Sequence, residues 1–193
     1  MKHKIKTALI SVSDKADLSK VLKTLTEHKV KIISSGGTYK TIKHLGYTCT
    51  EVSNYTGFKE MLDGRIKTLH PKIHAGILHD RSNRKHSKEM NKKKFPSIDL
   101  IIVNFYPFQK IVTNSKSDTE IIENIDIGGP TMVRSAAKNY KNVLIITNKN
   151  DYSDLIEEIE KNKGNTTLNF RKYMSSKAFG LTAYYDAMIA NWF

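Results

Sequence analysis

Cysteine is almost missing from this chain: Cys49 is the only one among 193 residues. No internal disulfide can form, so a reducing cytoplasm is the expected setting. Cys49 lies in Tyr47-Thr48-Cys49-Thr50-Glu51-Val52 with no activating neighbour, and reads as an inert packing residue. Long apolar runs are also missing. Nothing approaches the roughly 18 residues of a membrane span, so no membrane partner is expected. The basic start Met1-Lys2-His3-Lys4-Ile5-Lys6 is followed by too short an apolar stretch for a signal peptide, and reads as the start of a strand. Arginine is scarce, with 5 Arg against 27 Lys in a net charge of +13. Arginine is the usual choice for base and bidentate phosphate contacts. The excess charge therefore reads as a solvated lysine surface that attracts small polyanions, without specific nucleic-acid binding. The sequence holds no Walker loop, no Gly-x-Gly-x-x-Gly, no zinc signature and no recognisable Ser-His-Asp set.

What is present alternates. Thr7-Ala8-Leu9-Ile10-Ser11-Val12 is a buried strand, followed by a helix with Leu18, Val21, Leu22 and Leu25 at helical spacing and Ser13 or Asp14 as cap. Val30–Ser34 is a second strand. Ser35-Gly36-Gly37-Thr38 feeds a helix that Gly46 stops, and 48–52 is a third strand. Residues 54–79 are the least regular part, and 84–94 is a lysine-rich exposed loop or short helix. Ile98–Phe105 is the clearest strand, ended by Pro107. Helices are expected over 118–124 and 131–139, a strand over 142–147, a helix over 151–161, and one long or two shorter helices over 166–191. Strands alternating with helices predict a single α/β domain over 1–193, with a mainly parallel sheet between helical layers. In such sheets ligands bind beyond the carboxyl ends of the strands.

The chemistry-bearing residues gather at those ends. Ser11, Val12, Ser13 and Lys15 form one strand-to-helix junction, and Ser35, Gly36 and Thr38 another. Backbone amides at a helix start and glycines that admit close approach suit a phosphate. Gly64-Arg65-Ile66-Lys67-Thr68-Leu69-His70-Pro71 supplies a bidentate clamp in Arg65, a cation or base in Lys67 and a hydroxyl in Thr68. Asn104 and Tyr106 end the clearest strand. Asp126-Ile127-Gly128-Gly129 opens another helix, where Asp126 is either a cap or a titrating group, and Lys138 falls near that helix's end, where cations are favoured anyway. His70 and His74 have helical metal-ligand spacing but no further ligand cluster, so no metal is expected.

Taken together, Leu9-Ile10-Ser11-Val12-Ser13-Asp14-Lys15, Ser35-Gly36-Gly37-Thr38, the run from Gly64 to Leu78, Asn104-Phe105-Tyr106-Pro107-Phe108, Ile125–Pro130 and Arg134–Asn139 resemble the inosine monophosphate (IMP) cyclohydrolase domain of the bifunctional purine-biosynthesis enzymes, over essentially the whole chain. The resemblance implies a methylglyoxal-synthase-like three-layer sandwich. It implies ring closure of 5-formamidoimidazole-4-carboxamide ribonucleotide (FAICAR) to IMP with loss of water, and no cofactor. It further implies Lys67 with Tyr106 and Lys138 with Asp126 as proton relays, Ile127 and Gly128 amides as an oxyanion site, and Ser11, Ser13, Lys15, Ser35, Gly36, Thr38, Arg65 and Thr68 around the 5′-phosphate.

Members of that family usually continue into a transformylase domain and form homodimers whose main contacts lie there. This chain stops at Phe193, so folate-dependent activity is not expected of it. An excised domain, a natural stand-alone form and a homodimer all stay open. The rival readings are a methylglyoxal synthase, which leaves the Lys67, Tyr106, Asp126 and Lys138 set unexplained, a regulatory module that binds a nucleotide without turnover, and a charge-driven nucleic-acid binder.

Overall fold

The computed structural model describes residues 2–115 and 117–193. In chain order the elements are β1 (His3–Lys4), β2 (Thr7–Val12), α1 (Leu18–Glu27), β3 (Lys31–Ser34), α2 (Gly36–His44), β4 (Thr50–Glu51), α3 (Val52–Thr56), α4 (Pro71–Leu78), α5 (Arg84–Lys93) and β5 (Leu100–Asn104). They continue with α6 (Phe108–Asn114), α7 (Asp118–Glu123), α8 (Gly128–Lys138), β6 (Leu144–Ile146), α9 (Tyr152–Lys161), β7 (Asn165–Thr166) and α10 (Leu168–Trp192).

Five strands form one sheet in the order β4-β3-β2-β5-β6, and every pairing in it is parallel. Its central strands are apolar on both faces because both faces are covered. Ala8, Ile10, Val12, Ile32, Leu100, Ile102 and Leu144 pack with α1, α2 and α9. Leu9, Ile33, Ile101, Val103 and Ile145 pack with α3, α4 and α8. A third cluster of Phe108, Ile121 and Tyr185 joins α6 and α7 to the far half of α10. The long helix contributes to all three clusters, through Met174, Ala178 and Tyr185. The expected three-layer α/β architecture is therefore what the chain adopts. A separate antiparallel clasp pairs β1 with β7, and Met1, part of the basic start, lies outside the described residues.

Several boundaries differ from expectation. The first helix begins at Leu18, with Asp17 in a left-handed conformation at its cap position, so neither Ser13 nor Asp14 caps it. Asp14 Oδ1 instead accepts from the Ala16 amide at 2.9 Å, and Ser13 is drawn to β5. The third strand shrinks to two residues because the Glu51 side chain accepts from the Ser53 amide and starts α3. The stretch expected to be irregular contains α4. Its cap is His70, whose Nδ1 accepts from the Lys72 amide at 3.0 Å, with Pro71 in the first turn. Histidine is not among the usual caps, which hid this helix from a reading of composition. Near the clasp, Asp99, Arg81 and His3 form a knot at the strands' amino ends. Asp99 Oδ2 also accepts the Lys6 and Thr7 amides at 2.8 Å.

Candidate active site

The chain leaves β2 toward β3 and β4 on one side, then returns to β5 on the other. The strand order therefore reverses between β2 and β5, the position where a doubly wound sheet opens a ligand crevice. Asn104 closes that crevice's floor. Its Oδ1 accepts from the Ser13 amide at 2.6 Å and the Ser13 hydroxyl at 2.9 Å. Its Nδ2 donates to the Asp14 carbonyl at 3.1 Å. The Ser13 hydroxyl also lies 2.8 Å from the Phe105 carbonyl. Asn104 and Ser13 thus shape the loop that carries Lys15.

Thr38 is committed in the same way. Its hydroxyl donates to the Val12 carbonyl at 2.9 Å and accepts from the Val12 amide at 3.0 Å. The expectation of a free Thr38 hydroxyl for phosphate is therefore corrected: that oxygen ties α2 to β2, and only the Thr38 backbone faces the helix start. Ser35 is buried at the cap position of α2, and its side chain makes no cap bond there.

Two amines converge on the start of α2. Gly36 has φ of +53°, a conformation that favours glycine, and a Cβ placed there would sit 3.3 Å from Lys67 Nζ. A Cβ on Gly37 would sit 3.8 Å from Lys15 Nζ. The first amides of a helix have no intrahelical partners and carry the positive end of its dipole. Two lysines beside them make a strongly anion-attracting corner.

The next residue faces a second helix start. Thr68 is buried, and its Oγ1 would lie 2.6 Å from a Cβ on Gly128. Asp126 Oδ1 accepts from the Gly129 amide at 2.8 Å, and a Cβ on Gly129 would meet Asp126 Oδ2 at 2.4 Å. The glycine pair is therefore not a turn before a helix that starts at Thr131. It is the first turn of α8 itself, kept bare so that a hydroxyl and a carboxylate can approach. The Asp126 amide donates to the Tyr185 hydroxyl at 2.8 Å. Burial pushes the Asp126 carboxyl above the usual carboxylate range, against the Gly129 amide that favours its charge. Ile127 and Tyr106 stand exposed at the rim.

Lys67 is paired with Glu60, and Arg65 with Glu123. Both carboxylates, and Tyr185, escaped the sequence reading. Tyr185's partner is 59 residues away.

Lys138 requires correction. It is the last residue of α8 and exposed, about 15 Å along the helix from the turn that Asp126 caps. Because α8 returns from β5 to the start of parallel β6, Lys138 sits at the strands' amino ends. Within one chain it takes no part in the group around Asp126. Of the histidines, His70 is spent on its cap, and His74 Nδ1 faces the Ser135 hydroxyl at 3.3 Å. Among the described residues no three His, Cys, Asp or Glu side chains gather into a metal-ligating group. No helix among them is long and apolar enough to cross a membrane. Burial pushes the Cys49 thiol up to about 11, which suits a packing residue.

The sheet order and the two glycine-opened helix starts define the class. The model of the MGS-like domain matches residues 17–131, and the chain belongs to that family. A second model, described as the AICARFT/IMPCHase bienzyme, matches residues 136–193. The chain is 46% identical over 191 residues to the bifunctional purine biosynthesis protein PurH of Bradyrhizobium diazoefficiens, covering 99% of this chain and 36% of that protein. It is 49% identical over 186 residues to PurH of Clostridium acetobutylicum, covering 96% and 37%. The chain thus spans little more than a third of the curated relatives it matches. Among solved structures, a crystal structure of ForH superposes with a TM-score of 0.85 at 29% identity, covering 96% of this chain and 97% of that one.

Proposed function

We propose that residues 1–193 form one catalytic unit that cyclises FAICAR to IMP in the cytoplasm. The observation that carries this reading is the convergence of Lys67 and Lys15 on the start of α2 beside the bare first turn of α8. One corner suits a 5′-phosphate, and the other suits a carbonyl that gains charge. The names of the matched relatives, and the bienzyme description of the match over residues 136–193, support the same assignment.

The chemistry assigns roles as follows. The substrate's carboxamide nitrogen attacks its formyl carbon, forming the C–N bond of the new ring; the carboxamide and formamido nitrogens each give up one proton, and the formyl oxygen, having gained two, breaks from carbon as water and leaves a C=N bond. Much of the acceleration is positioning, since both reacting groups belong to one molecule. The Ile127 and Gly128 amides face the developing oxyanion. Asp126, with its raised pKa and Oδ1 occupied by Gly129, offers Oδ2 to take a proton from the nitrogen. Lys67 and Tyr106 supply protons to the departing oxygen. Ser11, Lys15, Ser35, Gly36, Arg65 and Thr68, with Thr38 through its backbone, hold the ribose phosphate over the floor that Val12, Ser13 and Asn104 build.

The test mixes the purified chain with FAICAR, without folate or metal, and follows purine-ring absorbance. Cyclisation is expected, with Lys67→Ala reduced about 100-fold or more. Nucleotide binding without cyclisation would point to a regulatory module. Activity of Lys67→Ala within a factor of about two of the parent chain would remove Lys67 from the reaction.

A further inference from the structure

Arg65 and Lys67, the two cations of the Gly64–Thr68 segment, are both held by carboxylates of the chain itself. Arg65 Nε donates to Glu123 Oε1 at 3.2 Å while its Nη2 pairs with Oε2. This is the two-pronged geometry that a guanidinium offers equally to a carboxylate or a phosphate. Lys67 Nζ, above Gly36, pairs with Glu60 Oε2. Neither carboxylate accepts a backbone amide or caps a helix among the described residues, so no folding role visible there accounts for them. Both are more than half exposed, at 55% for Glu60 and 51% for Glu123. Exposed pairs are held weakly, and a carboxylate already in water loses little hydration in leaving its partner. The Asp99–Arg81 pair is different: its carboxylate is 4% exposed and could not be exchanged at small cost.

We propose that Glu60 and Glu123 are internal counter-anions. They hold Lys67 and Arg65 while the crevice is empty and yield them when the ligand enters, Arg65 to its phosphate and Lys67 to its reacting face. The nucleotide reading above supplies the identity of that ligand. The exchange keeps the crevice near charge balance in both states. It also makes affinity selective: a phosphate-bearing ligand can displace the carboxylates, and its neutral nucleoside cannot.

The test is calorimetric titration with IMP, inosine and inorganic pyrophosphate. The proteins are the parent chain, Glu60→Gln, Glu123→Gln, and Glu123→Gln combined with Arg65→Ala. Each single Gln variant is expected to bind IMP about two- to fivefold more tightly, with inosine unchanged. The gain from Glu123→Gln should vanish when Arg65 is absent, because it acts through that guanidinium. IMP binding that is unchanged or weaker in both Gln variants would overturn the exchange and leave the nucleotide reading standing. Tightening for pyrophosphate, with no IMP binding by any protein, would overturn the nucleotide reading and keep the exchange. Failure of every protein to bind either anion would overturn both.

Discussion

Asp99 and Asp126 are the same residue type at opposite ends of one sheet, and they titrate in opposite directions. Burial works against Asp99's charge, but the His3 hydrogen bond, the Arg81 guanidinium and the Lys6 and Thr7 amides outweigh it, holding the carboxyl below the usual range. Burial also works against Asp126, whose charge gains only the Gly129 amide, and its pKa rises. The amino ends of the strands thus satisfy their charge internally and act as a structural knot. The carboxyl ends leave a carboxylate under-compensated and two amines beside a helix start. Such imbalance costs stability and suits proton transfer.

The difference between the two ends is most vulnerable at Asp99. Asp99→Ala leaves a largely buried guanidinium without its anion, and is expected to lose about 3–5 kcal/mol of unfolding free energy by denaturant titration. The molecules still folded should cyclise at the parent rate. Next comes Gly129→Ala, whose Cβ collides with the Asp126 carboxylate. A loss of about 1–3 kcal/mol is expected, and it should shrink when Asp126 is also Ala. A loss that persists in the double variant would show that Gly129 answers to something else.

The smallest effect sharpens the contrast through pH. A raised folded pKa means that Asp126 favours the folded state most when protonated, and that contribution is lost as pH rises through its folded pKa. Asp126→Asn should therefore melt with the parent chain below the ordinary carboxylate range and above it at neutral pH, while losing turnover. Asp99→Asn should behave oppositely. Its deficit should be full at neutral pH and fade as pH falls through the lowered pKa of Asp99. Parallel melting curves for the two variants across pH would erase the distinction.

The central strands β2, β3, β5 and β6 were legible because they are apolar runs between glycine, serine and proline signals, and their carboxyl ends pointed to the crevice. Lys67, Thr68, Gly128 and Asp126 do meet around two helix starts, although sequence distance alone could not say which. What stayed hidden has physical reasons. Gly128 and Gly129 look like a flexible turn, but their role is space for Thr68 and Asp126. Thr38 looks like a free donor until Val12 claims its hydroxyl. Lys138 lies 12 residues from Asp126 in sequence, and only the direction of α8 reveals that these residues face opposite ends. Exposed carboxylates such as Glu60 and Glu123 carry no pattern that marks them as partners.

The long helix α10 carries a practical consequence for anyone shortening this chain. Near one end, Arg171 donates to the Tyr140 and Lys141 carbonyls at the sheet's amino side. Fourteen residues later, about 21 Å along the axis, the Tyr185 hydroxyl receives the Asp126 amide. A protein cut after residue 180 would retain every strand and the Arg171 anchor, yet Phe108 and Ile121 would lose their cover and the entrance to α8 its brace. The smallest fragment able to form the corner around Asp126 is therefore longer than the smallest fragment able to form the sheet, and a far-ultraviolet spectrum alone would mistake one for the other.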